Sequence, residues 1–144
     1  MKALSLWQPW ATMMCDPRLK RVETRGWSTN YRDNLVICAS KRKPSLAEFG
    51  GTPLEYQRAM AVVPFGKAVC VVKLADCKPV EWVVRQPWFT EVEREHGNYA
   101  QGEGRFGWIT EQCRTLKASV PVVGKQGLFD LSPEEELAVL EALK

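Results

Sequence analysis

The 144-residue sequence contains no stretch approaching the ~20 consecutive apolar residues that a membrane-spanning helix requires. It has a single histidine, His96, and its five cysteines (Cys15, Cys38, Cys70, Cys77, Cys113) are odd in number, widely spaced and free of any CxxC pair. That pattern argues against a disulfide framework and a zinc site, and it leaves little material for a cysteine–histidine or serine–histidine catalytic pair. The cysteines read as free, mostly buried thiols. Met1 to Pro9 carry neither an apolar core nor a cleavage site of the secretory kind, so the expected location is the cytoplasm. No metal and no cofactor is expected. Disorder is excluded by composition, since 45% of residues are hydrophobic and only 26% charged, and the length suits one domain over residues 1–144.

The net charge is only +3 but is unevenly spread. Residues 1–45 hold nine basic residues (Lys2, Arg18, Lys20, Arg21, Arg25, Arg32, Lys41, Arg42, Lys43) against three acids, whereas the rest of the chain is slightly acidic. Trp7, Trp10, Trp27 and Tyr31 fall in the same segment. Cations beside aromatics can hold phosphates while the rings stack bases. The same pattern also fits a solvated basic face beside core tryptophans. If the cations converge, roughly four phosphate contacts predict a single-strand salt slope near −3 on a log–log scale.

Periodicity favours strands. Lys2–Leu6, 21–25, 35–39, 67–75 and 105–110 (the last continuing toward Leu116) read as strands, with 119–122 extended. Short helices are expected over 10–15, 45–49 and 53–61, and Glu93 to Asn98 reads as a solvated loop. Ser132-Pro133-Glu134-Glu135 is a capping box with proline at the first helical position, opening a terminal helix that sets Leu137, Leu140 and Leu143 on one face. About six strands without βαβ spacing point to an α+β fold, a small mixed β-barrel with peripheral short helices.

The octet Arg18-Leu19-Lys20-Arg21-Val22-Glu23-Thr24-Arg25 resembles the G-x-K-x-x-E-x-R signature of the ASCH family (activating signal cointegrator homology), relatives of the PUA domains. Lys20, Glu23 and Arg25 match it; Arg18 stands where the family has glycine, so the preceding turn must be built differently. Trp7-Gln8-Pro9-Trp10-Ala11, Trp27, Ala39-Ser40-Lys41, Val63-Pro64-Phe65-Gly66, Gly104-Arg105-Phe106-Gly107-Trp108 and Gly124-Lys125-Gln126-Gly127-Leu128 extend the resemblance to the small bacterial and phage type. It implies a PUA-like barrel whose cleft is lined by the motif and takes RNA or a nucleotide.

On a regular strand, Arg21, Glu23 and Arg25 share one face while Lys20, Val22 and Thr24 share the other. A strand start or bulge near Lys20 would let it join Glu23 and Arg25. Arg25 could then grip Glu23 in a fork, leaving Lys20 as a spare cation for phosphate or proton transfer; a purely structural salt bridge is the competing reading. Candidate nucleic-acid contacts are Lys20, Arg25, Trp27, Arg32, Lys41, Arg42 and Lys125, with Trp7 and Trp10 as cleft wall. The partner is RNA, single-stranded nucleic acid or a nucleoside. The second reading is a metal-independent hydrolase, a ribonuclease or an acetylcytidine-type amidohydrolase, with Lys20 and Glu23 as the catalytic pair. The amidohydrolase pattern resembles Lys-x-x-Thr, but here Glu23 occupies the threonine position and Thr24 points to the opposite face.

Overall fold

The computed structural model describes residues 1–100 and 104–144. Six strands, β1 (Lys2–Leu6), β2 (Val22–Arg25), β3 (Asn34–Ala39), β4 (Lys67–Pro79), β5 (Phe106–Pro121) and β6 (Phe129–Asp130), form one sheet in the order β2-β5-β4-β3-β1-β6. β1 and β3 run parallel; every other pairing is antiparallel. The sheet is mixed and curled into a half-barrel, so the α+β, barrel-like expectation holds.

Two strands are far longer than the sequence suggests. β4 runs 13 residues and β5 runs 16, absorbing the segment that reads separately as 119–122. Their pairing slips register three times, and Gln112 on β5 has φ +53°. Such bulges bend and twist long strands, which curls this sheet. They also blur the period of two on which strand boundaries are read.

The central strands are buried on both faces. Leu4, Leu6, Leu35, Ile37, Val72 and Leu74 pack on one side with Ala11 and Met14, at and just beyond helix α1 (Trp10–Met13). Val36, Cys38, Ala68 and Val71 pack on the other, under helix α6 (Pro133–Ala142). The expected cap of α6 is present: Ser132 Oγ accepts from Glu135 N, and the Glu135 carboxylate accepts from Ser132 N. Of its expected leucine face only Leu143 packs inward. Val139 is fully buried, with Ala142 and Leu143 packed around it, whereas Leu137 is 69% exposed and Leu140 also faces outward. Spacing alone could not choose between two apolar stripes on one short helix.

A smaller cluster of Val22, Val83 and Ile109 lies beneath helices α4 (Val80–Val83) and α5 (Glu91–Glu95). Gly107 makes it fit, because a Cβ there would lie 2.8 Å from Val83 and 3.0 Å from Val22. Helices α2 (Leu46–Phe49) and α3 (Pro53–Ala61) form an outer insertion, capped by Ser45 and Thr52.

Candidate nucleic-acid interface

Asp16 rebuilds the turn that lacks the signature glycine. Its carboxylate accepts from the Arg18 amide at 3.0 Å and from the Arg18 guanidinium at 2.8 and 3.0 Å, while its carbonyl accepts from the amides of Leu19 and Lys20. Arg18 holds the Asp16 carboxyl below its usual range, first by hydrogen bonding. The strand begins only at Val22, so Lys20 escapes the alternation and turns toward Glu23.

Lys20, Glu23 and Arg25 therefore converge. Glu23 Oε1 lies 3.3 Å from Lys20 Nζ, and Oε2 lies 3.0 Å from an Arg25 nitrogen. Lys20, however, is not a spare cation. Its side chain is 1% exposed, and Nζ donates to the carbonyls of Val22 and His96, both at 2.7 Å. With Glu23 these three acceptors use its three protons. Nor does Arg25 grip Glu23 in a fork. One of its terminal nitrogens serves both Glu23 and the Ser5 carbonyl (2.8 Å), and its Nε is buried without a partner. Thr24 points to the other face, as alternation requires. Its hydroxyl accepts from the Asn98 amide and from Arg105.

Glu93 is the residue that sequence reasoning missed. The first half of the segment read as a solvated loop belongs to α5, capped by Thr90, and Glu93 at the helix's third position is buried. Its carboxylate accepts the Arg21 amide at 3.0 and 3.2 Å and thereby anchors the entry to β2. Burial pushes its pKa up against the pull of that amide and of Lys20. The capping pair Thr90…Glu93 was the available signal. His96 closes the helix, and its ring Nδ1 lies 2.9 Å from the Leu19 carbonyl.

Above this assembly opens a cleft of about 1450 Å³. Glu23 and Arg25 form its floor; Trp7, Trp10 and Trp27 line its walls; Lys41, Arg42, Arg105 and Lys125 stand around its rim. Trp27 is 40% exposed and meets buried Trp108 edge to face at 4.6 Å, and Trp108 Nε1 donates to the Trp27 carbonyl. The loop carrying Lys125 packs against the same ring, with Gly127 at φ +67° beside it. Gln8, fully buried, bonds Thr12 and the Pro64 carbonyl and so fixes the wall bearing Trp7 and Trp10.

The structure does not gather the basic segment into this cleft. Arg32 lies outside it, bonded to the carbonyls of Thr29 and Tyr31 and paired with Asp76 at 3.5 Å. Lys2 pairs with Asp130, and Arg18 with Asp16. Arg21 covers Trp88, and Lys43 sits over Tyr56. Arg42 is at the rim but pairs with Glu48 at 2.9 Å and lies over Trp7 at 4.4 Å. Among the described residues, Lys41 is the one cation of the first 45 residues with neither a carboxylate nor an aromatic partner. Four carboxylates (Glu23, Glu48, Glu95, Glu135) offset five cations in the lining. Among the described residues no cluster of histidine, cysteine and carboxylate is arranged to hold a metal ion.

The ASCH domain model matches residues 4–120. The chain is 28% identical over 135 residues to human activating signal cointegrator 1 and 27% identical to the mouse protein. Each match covers 89% of this chain but 22% of the relative, so the chain spans about a fifth of their length. The crystal structure of ASCH from Zymomonas mobilis superposes with a TM-score of 0.59 over 97% of this chain and 93% of that one, at 14% identity. A single-site mutant of the same protein gives 0.58, over 97% and 94%. The match spans the octet, all three cleft tryptophans and the strands that carry them, and on it the chain belongs to the ASCH domain family.

Proposed function

We propose that the cleft binds a short segment of single-stranded RNA, with a base against Trp27 and the flanking phosphates on Lys41 and Lys125. The observation that carries this reading is the joint lining of one open cleft by three tryptophans and a cationic rim. Half-exposed aromatic rings offer any base a stacking face, and unpaired ammonium groups at a rim attract phosphate. Family membership supports the same class of ligand, since the ASCH resemblance implies RNA or nucleotide binding.

Within the site, Lys20 is a positioning residue. It holds Glu23, and Glu23 with Arg25 presents polar groups to the underside of the bound base. Lys20 Nζ has no N–H to spare and does not line the cleft. A catalytic proton transfer through it would first have to break these bonds, which favours binding over hydrolysis.

The test is anisotropy of a labelled single-stranded RNA across a salt series, with a parallel incubation of RNA and acetylated nucleosides read by mass spectrometry. Because most of the basic segment is internally paired, about two phosphate contacts replace the four inferred from charge alone, and the log–log slope should be about −1.4. Saturable retention of RNA without turnover is the expected result. Product formation would select the hydrolase, and a flat salt response would point to a neutral nucleoside.

A further inference from the structure

The parallel strands β1 and β3 deliver the chain to one place. Leu6 pairs with Ala39, and the Ser40 amide donates to the Leu6 carbonyl at 2.8 Å, so Trp7 and Lys41-Arg42 leave their strands side by side at the cleft. There the Arg42 guanidinium lies over the Trp7 ring, 4.4 Å from its centroid. Both groups are fixed from behind. Gln8, buried and bonded to Thr12 and the Pro64 carbonyl, sets the wall that carries Trp7. Glu48 holds one Arg42 nitrogen at 2.9 and 3.2 Å, and the same carboxylate accepts the Ser45 amide in the capping box of α2. Trp7 and Arg42 both line the cleft, and Trp7 stays 39% exposed.

We infer that Trp7 and Arg42 form a second base subsite, a clamp in which a further nucleobase of the strand bound at Trp27 inserts between indole and guanidinium, with Glu48 as the residue that positions Arg42. The inference rests on the reading of the cleft as an RNA site and adds the minimum ligand, an oligonucleotide rather than a single nucleotide.

The surroundings carry it. A guanidinium stacks on an aromatic ring and on a base through the same planar face, so a base can enter the gap and keep a partner on each side. The Arg42 side chain is 55% exposed, and its flexible stem lets the guanidinium lift by one ring thickness while Glu48 still holds it. A cleft of about 1450 Å³ exceeds the roughly 300–1,000 Å³ that takes one compact ligand, so it has room beyond the base on Trp27. Among the described residues no cation covers Trp27, so that ring takes the first base; Trp7 has to be uncovered and takes another. Glu48 decides what Arg42 meets. While paired, the guanidinium is neutralised and serves as a stacking plane; released, it would seek phosphate in a charge-assisted fork.

The experiment is competition of adenosine monophosphate and of tetraadenylate against labelled single-stranded RNA on the full chain, across a salt series. The parent should bind tetraadenylate more tightly than the monophosphate. Trp7→Ala and Arg42→Ala should each shrink that ratio by about tenfold, and Trp7→Phe, which keeps a ring, should recover most of it. The log–log salt slope for tetraadenylate should not change in Arg42→Ala, because stacking releases no counterions from phosphate. Glu48→Gln keeps an acceptor for the Ser45 amide but frees Arg42, so the slope should steepen by about 0.7, one added phosphate contact. An undiminished ratio in folded Trp7→Ala and Arg42→Ala, a slope flattened by Arg42→Ala, or no change of slope in Glu48→Gln would overturn the clamp and leave the RNA site standing. Absence of RNA and tetraadenylate binding by the parent would remove the site itself, and the clamp with it. If Trp7→Ala does not fold, Arg42→Ala, a change at an exposed side chain, decides the ratio alone.

Discussion

The floor and the rim of the cleft carry the same kinds of side chain and treat them in opposite ways. On the floor, Lys20 is enclosed by two carbonyls and Glu23, and Arg25 is shared between Glu23 and the Ser5 carbonyl. At the rim, Lys41 faces solvent with no carboxylate within ion-pair distance among the described residues. A charge removed from water must find partners inside the protein, and once it has them it has little left to offer a ligand. Lys20 of the octet therefore builds the site, and the rim cations outside the octet are available to bind.

The strongest way to break this contrast is Lys20→Met. It removes the donor from two carbonyls and one of the two cations that hold Glu23, so the loss of stability should be about 3 kcal/mol, read by urea denaturation. A variant that keeps its melting temperature and loses only RNA affinity would make Lys20 a ligand contact and erase the distinction between floor and rim.

Trp27→Ala probes the wall between them. Affinity for single-stranded RNA should fall by roughly 1–3 kcal/mol if a base stacks on the ring. Loss of the edge contact with Trp108 should cost stability by about 1 kcal/mol or less. The reverse order, a large stability loss with unchanged binding, would make Trp27 a core residue.

Glu93→Gln sharpens the account of the floor. The amide oxygen can still accept the Arg21 N–H, but the buried charge is gone. Since burial raises the folded pKa of Glu93 above its ordinary 4.5, ionising it costs the native state, and that cost disappears as pH falls through the folded value. The variant should therefore compare more favourably with the parent at pH 7 than at pH 4.5, by a fraction of a kcal/mol in urea melts. A constant or reversed difference would mean that Glu93 ionises in the folded protein as readily as in the unfolded chain.

The same contrast explains what the sequence disclosed. Caps, turns and apolar runs are local, so Ser132, the short helices and the core of β4 were legible. The convergence of Lys20 with Glu23 and Arg25 needed only a late strand start, which the turn around Asp16-Pro17 supplies. The partners of Lys20 were not legible: Val22 is near, but the His96 carbonyl comes from 76 residues away. The +6 charge of the first 45 residues misled for the same reason, because Asp76 and Asp130, which neutralise Arg32 and Lys2, lie elsewhere in the chain. β5 hid its length because its bulge at Gln112 interrupts the alternation.

The most direct test of the division between floor and rim is the salt dependence of RNA binding by the double variant Lys41→Met, Lys125→Met. Both side chains lie at the rim and neither contacts the floor charges, so the melting temperature should stay within a degree or two of the parent. The log–log slope should collapse from about −1.4 toward zero, with affinity at low salt falling accordingly. An unchanged slope in a folded double variant would show that the phosphates are held elsewhere, and the account of this cleft would be wrong.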